Sequence, residues 1–270
     1  MLFFNILISL LRLSLGFNYK QALYREQNDV VTSSLTDKLE CAVQCENMDN
    51  CEGFSFNTDR TCHFFYGSLD DEPCAALLPD QCHRRFPMLT VTNGLAVGEF
   101  APMQYCGSGS YAGGMKVRES EWQGPGWQDP GTDDTAINAM TLHCLNETTL
   151  QHTTNITSND GVAGEWITPQ TCPTDYWIVS FKLQVEGLFA DYAVDDTGVN
   201  RINVLCRGPG LAGTDTVELT SGSQDWGSYG AWSATCPSGQ AVCGLSSRSH
   251  EFQGLQGDDL GLTDVRMFCC

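Results

Sequence analysis

From Val91 to the end of the chain, apolar and polar residues alternate in short runs. Val179, Phe181, Leu183 and Val185 are the clearest case, each two residues from the next. Period two puts every second side chain on one face of a β-strand. Val199, Ile202 and Val204 form a second apolar set, matched by Leu262, Val265 and Met267. Gly, Asp and Pro fill the gaps and no stretch here has helical period, so the prediction is antiparallel β-sheet. The amino-terminal part reads differently. Thr36 is a good N-cap for a short helix predicted from Asp37 to Met48, with Cys41 and Cys45 on one face. An alternating CEGFSF strand with Phe54 and Phe56 on one side follows, then an NTDR turn and a second apolar stretch, CHFFY. Helix followed by hairpin predicts a nested pairing, Cys45 with Cys51 and Cys41 with Cys62.

The alternating region is built from one unit used three times. DDTAINAMTLHC (Asp133 to Cys144), DDTGVNRINVLC (Asp195 to Cys206) and DDLGLTDVRMFC (Asp258 to Cys269) each hold nine residues between the Asp pair and the cysteine. Successive pairs begin 62 and 63 residues apart. Upstream, Gly98-Glu99-Phe100 precedes Cys106 as Gly164-Glu165-Trp166 precedes Cys172, and Gly227-Ser228-Tyr229 precedes Cys236 with one residue more. The alternating run after each of these cysteines ends at a glutamate: Glu119, Glu186 and Glu251. A fixed period of this kind marks a repeated supersecondary unit. Three similar sheets bury three apolar faces by meeting around a common axis.

Cysteine content sets the compartment. Fourteen cysteines imply an oxidising environment. They divide into six (Cys41, Cys45, Cys51, Cys62, Cys74, Cys82) and eight (Cys106 to Cys270), each set even and able to pair within its own domain. Leu2 to Leu15 is apolar but shorter than the roughly 20 residues that span a bilayer, and Ser14 and Gly16 form a small-x-small cleavage pattern. The expected organisation is a signal peptide over residues 1–16, a module over 17–87 and a repeat domain over 88–270. His83-Arg84-Arg85-Phe86-Pro87 serves as linker. No membrane span is predicted, and the mature protein is expected to be secreted and extracellular. The net charge of −19 repels phosphate backbones and anionic lipid, which argues against nucleic acid as a partner.

The CxxxC helix, the CxxFxF strand and the next cysteine resemble the PAN/apple module over residues 24–83. That family consists of extracellular units that bind proteins or sugars. Here the amino-terminal lead carries no cysteine, which leaves Cys74 and Cys82 to pair with each other. Residues 91–270 resemble vitelline membrane outer layer protein I in the GEF and GEW segments and in the CP that starts copies two and three. The triplicate DDT-like motif and the terminal CC complete the match. The resemblance implies a mainly β fold, a β-prism of three Greek-key antiparallel sheets with pseudo-threefold symmetry, and association with carbohydrate or glycoprotein. Under it, repeat logic pairs Cys106 with Cys144 and Cys172 with Cys206. Cys236 with Cys269 and Cys243 with Cys270 complete the set, the last two pairings being interchangeable because Cys269 and Cys270 are adjacent.

Paired carboxylates invite a glycosidase-like reading in which Asp133, Asp195 or Asp258 acts as acid or nucleophile. Adjacent strand residues point to opposite faces, however, so the two carboxylates of a pair do not converge on one bond. A loop-to-strand turn explains all three copies, with Asp134, Asp196 and Asp259 bonding nearby backbone N–H groups. No loop has the spaced oxygen ligands of a calcium site, and the five histidines (His63, His83, His143, His152, His250) show no metal-ligand spacing. No metal and no cofactor are expected. The copies differ in one place: between the repeat glutamate and the first Asp lie 13 residues in copy one, 8 in copy two and 6 in copy three. The long SEWQGPGWQDPGT loop offers Trp122 and Trp127 as stacking surfaces for a pyranose ring. Gln123, Gln128 and Asp129 would bond its hydroxyls. Asn146 and Asn155 head glycosylation sequons. The expected role is a non-catalytic extracellular-matrix or egg-coat-type glycoprotein whose partners are glycoproteins or polysaccharides. The alternative is a transferase-like enzyme acting on N-acetylated sugar oligomers.

Overall fold

The computed structural model of the chain describes residues 31–34, 41, 44, 45, 51–56, 61–66, 83, 84, 87–120, 135–159, 161, 163–187, 196–250 and 259–270. The chain falls into two compact units, Met1–Arg85 and Phe86–Cys270. The expected signal segment, Cys74 and Cys82 lie outside the described residues.

In the first unit, β1 (Val31–Ser34), β2 (Cys51–Phe56), β3 (Thr61–Tyr66) and β4 (His83–Arg84) form one antiparallel sheet in the order β1-β3-β2-β4. Cys41, Gln44 and Cys45 are helical, and Cys41–Cys62 and Cys45–Cys51 are disulfides. Buried Phe54 and Phe64 stand opposite each other on β2 and β3. One expectation is corrected here. His83 and Arg84, read as linker, are a strand: they pair with Phe54 and Gly53, so the unit extends to the edge of the predicted boundary.

The second unit is mainly β. Its strands are β5 (Met88–Leu89), β6 (Glu99–Phe100), β7 (Gln104–Tyr105), β8 (Ser110–Glu119), β9 (Ile137–Asn146) and β10 (His152–Ser158). There follow β11 (Glu165–Trp166), β12 (Gln170–Thr171), β13 (Trp177–Val185), β14 (Val199–Gly208), β15 (Asp215–Ser221), β16 (Ser228–Tyr229), β17 (Val242–Ser249) and β18 (Leu262–Cys269). They make three antiparallel sheets, each centred on one long hairpin: β8–β9 in sheet I, β13–β14 in sheet II and β17–β18 in sheet III. The inner faces supply one continuous core, in which Met115, Leu142, Phe181, Ile202, Leu245 and Met267 are fully buried. This is the β-prism, three curled sheets facing a pseudo-threefold axis.

Each sheet borrows its side strand from a neighbouring copy. The segment before Cys172 supplies β11 and β12 to sheet I, and the segment before Cys236 supplies β16 to sheet II. The segment before Cys106 closes the ring by adding β6 and β7 to sheet III, where β5 also pairs with β18. The cysteine that follows then donates its N–H to the bulged residue of the first hairpin strand. The three bonds are Cys172 to Gly113 O at 2.9 Å, Cys236 to Val179 O at 2.8 Å and Cys106 to Cys243 O at 2.7 Å. Each of these cysteines is disulfide-bonded to the second hairpin strand of the next sheet: Cys106–Cys144, Cys172–Cys206 and Cys236–Cys269. The three bonds therefore staple sheet III to I, I to II and II to III. Cys243–Cys270 is a fourth, within sheet III, and no described cysteine is free.

A second bulge in each hairpin explains a break in the apolar alternation. Asn138, Asn200 and Thr263 are the extra residues, opposite the ends of β8, β13 and β17. The bulge inserts one residue, so Val199 and Ile202, three apart, both face the core, as do Leu262 and Val265. Among the described residues no helix is long and apolar enough to cross a membrane.

Candidate functional site

The three connections that join β8 to β9, β13 to β14 and β17 to β18 leave from the same end of the prism, because the hairpins are equivalent. Their spans, 121–134, 188–195 and 251–258, lie outside the described residues, and the necks from which they spring are fully visible. At each neck a backbone N–H closes the turn at 2.9 Å: Ser120 to Ala136 O, Glu186 to Gly198 O and His250 to Gly261 O. The three acceptor residues share a left-handed backbone, with φ of 44° at Ala136, 63° at Gly198 and 62° at Gly261.

These turns pack on one another. A Cβ on Gly261 would lie 2.6 Å from Thr135 O and 2.8 Å from Ile137 O of copy one, and a Cβ on Gly198 would collide with Leu260 O of copy three. Glycine at these two positions is therefore a requirement of close approach as well as of φ. The bulge residues tie each turn down. Asn138 Nδ2 donates to Thr135 Oγ1 (2.7 Å), Ser120 Oγ (3.0 Å) and Ala136 O (3.2 Å). Asn200 Nδ2 donates to Thr197 Oγ1 (2.6 Å) and Gly198 O (3.2 Å). In copy three, where Leu260 replaces the threonine, Thr263 Oγ1 donates instead to Val97 O at 2.7 Å.

The glutamates that end the alternating runs are offset by one in the fold: Glu186 shares the neck position with Ser120 and His250, whereas Glu119 pairs with Ile137 as Val185 pairs with Val199. Glu186 Oε2 accepts from Thr197 Oγ1 at 2.7 Å and Thr197 N–H at 3.2 Å. Glu119 Oε1 accepts from Ser223 N–H at 2.7 Å and Ser223 Oγ at 2.8 Å, which links copy one to the end of β15. Asp196 and Asp259 are buried, 2 % and 3 % exposed. Glu251, Asp133, Asp134, Asp195 and Asp258 lie outside the described residues, and so do Trp122, Gln123, Trp127, Gln128 and Asp129. For that group the structure fixes only where the chain leaves and returns, at Ser120 and Thr135, whose hydroxyls are 3.0 Å apart.

Elsewhere the polar chemistry is on the outer faces of the sheets. Asn155 is exposed on β10, its Oδ1 2.9 Å from His152 Nε2. Asn146 is at the far end of β9, where its Oδ1 accepts from the Thr148 and Thr149 N–H groups at 3.0 and 2.9 Å. His143 packs edge-on to His152, and burial, with Lys116 and His152 adding to it, lowers its pKa from the usual histidine value. Among the described residues no three of His, Cys, Asp and Glu group as a metal site.

Comparison with known proteins follows the same division of the chain. The family model of vitelline membrane outer layer protein I matches residues 87–270, and the PAN domain model matches residues 17–84. The mouse vitelline membrane outer layer protein 1 homolog is 38 % identical over 184 residues, 68 % of this chain and 83 % of the relative. The human homolog is 35 % identical over 184 residues, 68 % of this chain and 82 % of the relative. Among solved structures, Calystegia sepium agglutinin shares 12 % identity at a TM-score of 0.39, covering 68 % of this chain and 96 % of its own. A mannose-specific jacalin-related lectin from Morus nigra, solved with mannose, shares 14 % at a TM-score of 0.30, covering 66 % and 97 %. At these scores the likeness is distant, and the three-sheet fold stands on the chain's own hydrogen bonding.

Proposed function

The chain belongs to the vitelline membrane outer layer protein I family, and from that premise we propose that it is a secreted, non-catalytic glycoprotein of an extracellular or egg-coat matrix that associates with glycoconjugates. The names of the mouse and human relatives support the egg-coat or extracellular setting. The disulfides between sheets support an oxidising compartment.

One observation carries the non-catalytic reading. Carboxylates beside the repeat turns sit in a hydrogen-bonded framework: Glu119 and Glu186, from non-equivalent positions, accept from backbone and hydroxyl donors, and Asp196 and Asp259 are buried. The Asp pairs are then structural, Asp134 included by repeat equivalence. Glycan contact falls to what the copies do not share. The copy-one connection is the longest in sequence, and it carries Trp122 and Trp127 with Gln123, Gln128 and Asp129 between and beside them. Indole faces stack on the C–H face of a pyranose, and the polar side chains serve its hydroxyls. Such a site is weak by itself, so a second module raises avidity for a multivalent matrix. The PAN match supports residues 17–84 in that part.

The test is binding of the full chain to a glycan array, with wild type compared with Trp122→Ala/Trp127→Ala. The expected result is loss of most binding to polymeric glycans at unchanged melting temperature. A double variant that binds as wild type would remove the loop from the account.

A further inference from the structure

Three of the large apolar side chains that stand most exposed among the described residues come from one stretch: Trp226 at 47 %, Tyr229 at 43 % and Trp232 at 37 %. This stretch borders sheet II, where β16 pairs with the end of β13. Lys182 of β13 reaches across to it. Its Nζ lies 4.9 Å from the centroid of the Tyr229 ring and 4.6 Å from that of Trp232. The same Nζ is 3.0 Å from Glu218 Oε1 on β15, and that oxygen accepts from Asn203 Nδ2 at 2.5 Å. Asn203 Nδ2 also donates to Thr220 Oγ1 at 2.9 Å. The outer face of sheet II is thus a row running from two aromatic rings through Lys182 and Asn203 to Glu218 and Thr220.

A cation over an aromatic ring recurs in the other sheets and is part of the repeat. Lys116 lies 4.6 Å from Trp166 in sheet I, and Arg266 and Arg248 lie 3.7 and 4.4 Å from Phe100 in sheet III. Those rings are only half-buried partners of one cation each or of a pair. Sheet II departs from the pattern: counting forward from the shared aromatic, the positions that match Trp232 hold Pro169 and Met103. This is the copy with one extra residue before its cysteine. The repeat explains Tyr229 and does not explain Trp232.

We propose that the Tyr229–Trp232 face of sheet II is a second saccharide-contact surface, taking a neutral hexopyranose chain laid across the strands. The proposal rests on the glycan-association reading above and adds a site to it. Charge selects a neutral ligand. Lys182 is matched by Glu218 and Arg201 by Asp225 at 2.7 Å, Arg207 of β14 is turned to the carbonyls of Cys236, Pro237 and Gln240, and the chain's net charge of −19 repels a polyanion. Chemistry selects a sugar over an apolar peptide. Half-exposed rings offer a stacking surface, and the adjoining row mixes donors with acceptors, as hydroxyls require. Two amide oxygens in these rows, Gln184 Oε1 and Asn203 Oδ1, are buried without a hydrogen-bond partner in the fold. Gln184 is the register partner of Tyr229 and Asn203 that of Lys182.

The experiment follows the indole N–H signals of the ¹⁵N-labelled full chain by NMR, each assigned by Trp→Phe substitution. Hexamers of N-acetylglucosamine, mannose and glucose are titrated in, with heparin as the polyanion. At least one hexamer should shift the Trp226 and Trp232 signals, and Tyr229→Ala/Trp232→Ala should weaken its binding by about tenfold, the share of two ring contacts. These shifts should persist in Trp122→Ala/Trp127→Ala. Shifts confined to the Trp122 and Trp127 signals, with affinity unchanged in Tyr229→Ala/Trp232→Ala, overturn the second surface and leave the loop reading intact. Shifts at Trp232 with heparin alone overturn the neutral ligand. A dimer in sedimentation that Trp232→Ala dissociates assigns the face to a second copy and overturns the proposal. Silence of every indole signal with all hexamers overturns both readings. The wild-type spectra decide the matter even where a variant fails to fold.

Discussion

Asn200→Ala is the sharpest probe of the repeat turn. Asn200 is fully buried, and its Nδ2 holds Thr197 Oγ1 at 2.6 Å and Gly198 O at 3.2 Å. Losing both bonds costs about 2 kcal/mol at the usual ~1 kcal/mol each. Its Oδ1 has no partner, so removing it returns about 1 kcal/mol, and the small cavity takes back about 1 kcal/mol. The expected destabilisation is therefore about 2 kcal/mol, or about 4–8 °C in Tm for a domain of this size. Asn200→Asp is the control. It places a carboxylate against two oxygens and leaves a buried charge, so it should cost well over 3 kcal/mol. Urea denaturation followed by tryptophan fluorescence measures both. Asn138→Ala should behave like Asn200→Ala, since Asn138 Nδ2 makes the equivalent bonds. If Asn200→Ala lay within 0.5 kcal/mol of wild type, or Asn200→Asp were as mild as Asn200→Ala, the turn would not be held by this side chain.

Three other outcomes are expected. Gly198→Ala should destabilise by more than 1 kcal/mol, because its Cβ meets Leu260 O at a positive φ, whereas Ala136→Gly, already at φ 44°, should stabilise by about 0.5–1 kcal/mol; thermal melts of the two read out both signs. Cys172→Ser/Cys206→Ser opens a bond with a sequence separation of 34 that staples sheet I to II, and denaturant midpoints should show a loss of about 4 kcal/mol. Burial raises the pKa of Asp264 from the usual aspartate value, outweighing the Val265 N–H and the charges of Arg248 and Arg266. A raised pKa means the folded state favours the protonated acid, so stability is greatest below the ordinary carboxylate range and falls as pH rises through the folded pKa. Asp264→Asn should then raise Tm at neutral pH and match wild type in acid.

The long hairpins were legible because each keeps enough alternation to show its face. The break between Val199 and Ile202 concealed a bulge, since a period-two reading has no place for an extra residue. The side strands were not legible. A two-residue strand such as β6 or β16 has no period, and its choice of sheet depends on a partner far away in sequence: Phe100 pairs with Arg248 and Tyr229 with Gln184. His83 and Arg84 were hidden as linker for the same reason. At the candidate site, the turn expected at the Asp pairs comes from their neighbours alone, and of those pairs Asp196 and Asp259 are among the described residues. The work of Asn138 and Asn200 was not legible, because it exists only once the bulge turns those side chains back on the turn. Trp232 drew no notice either: whether a ring beside an edge strand is covered is decided by the third dimension.

Native mass spectrometry of the full chain with an N-acetylglucosamine hexamer tests the central claim most directly, because it reads binding and chemistry in one spectrum. The account predicts protein carrying intact hexamer, with the free sugar unchanged in length after prolonged incubation. Shorter or longer oligomers would contradict it and install the transferase reading in its place.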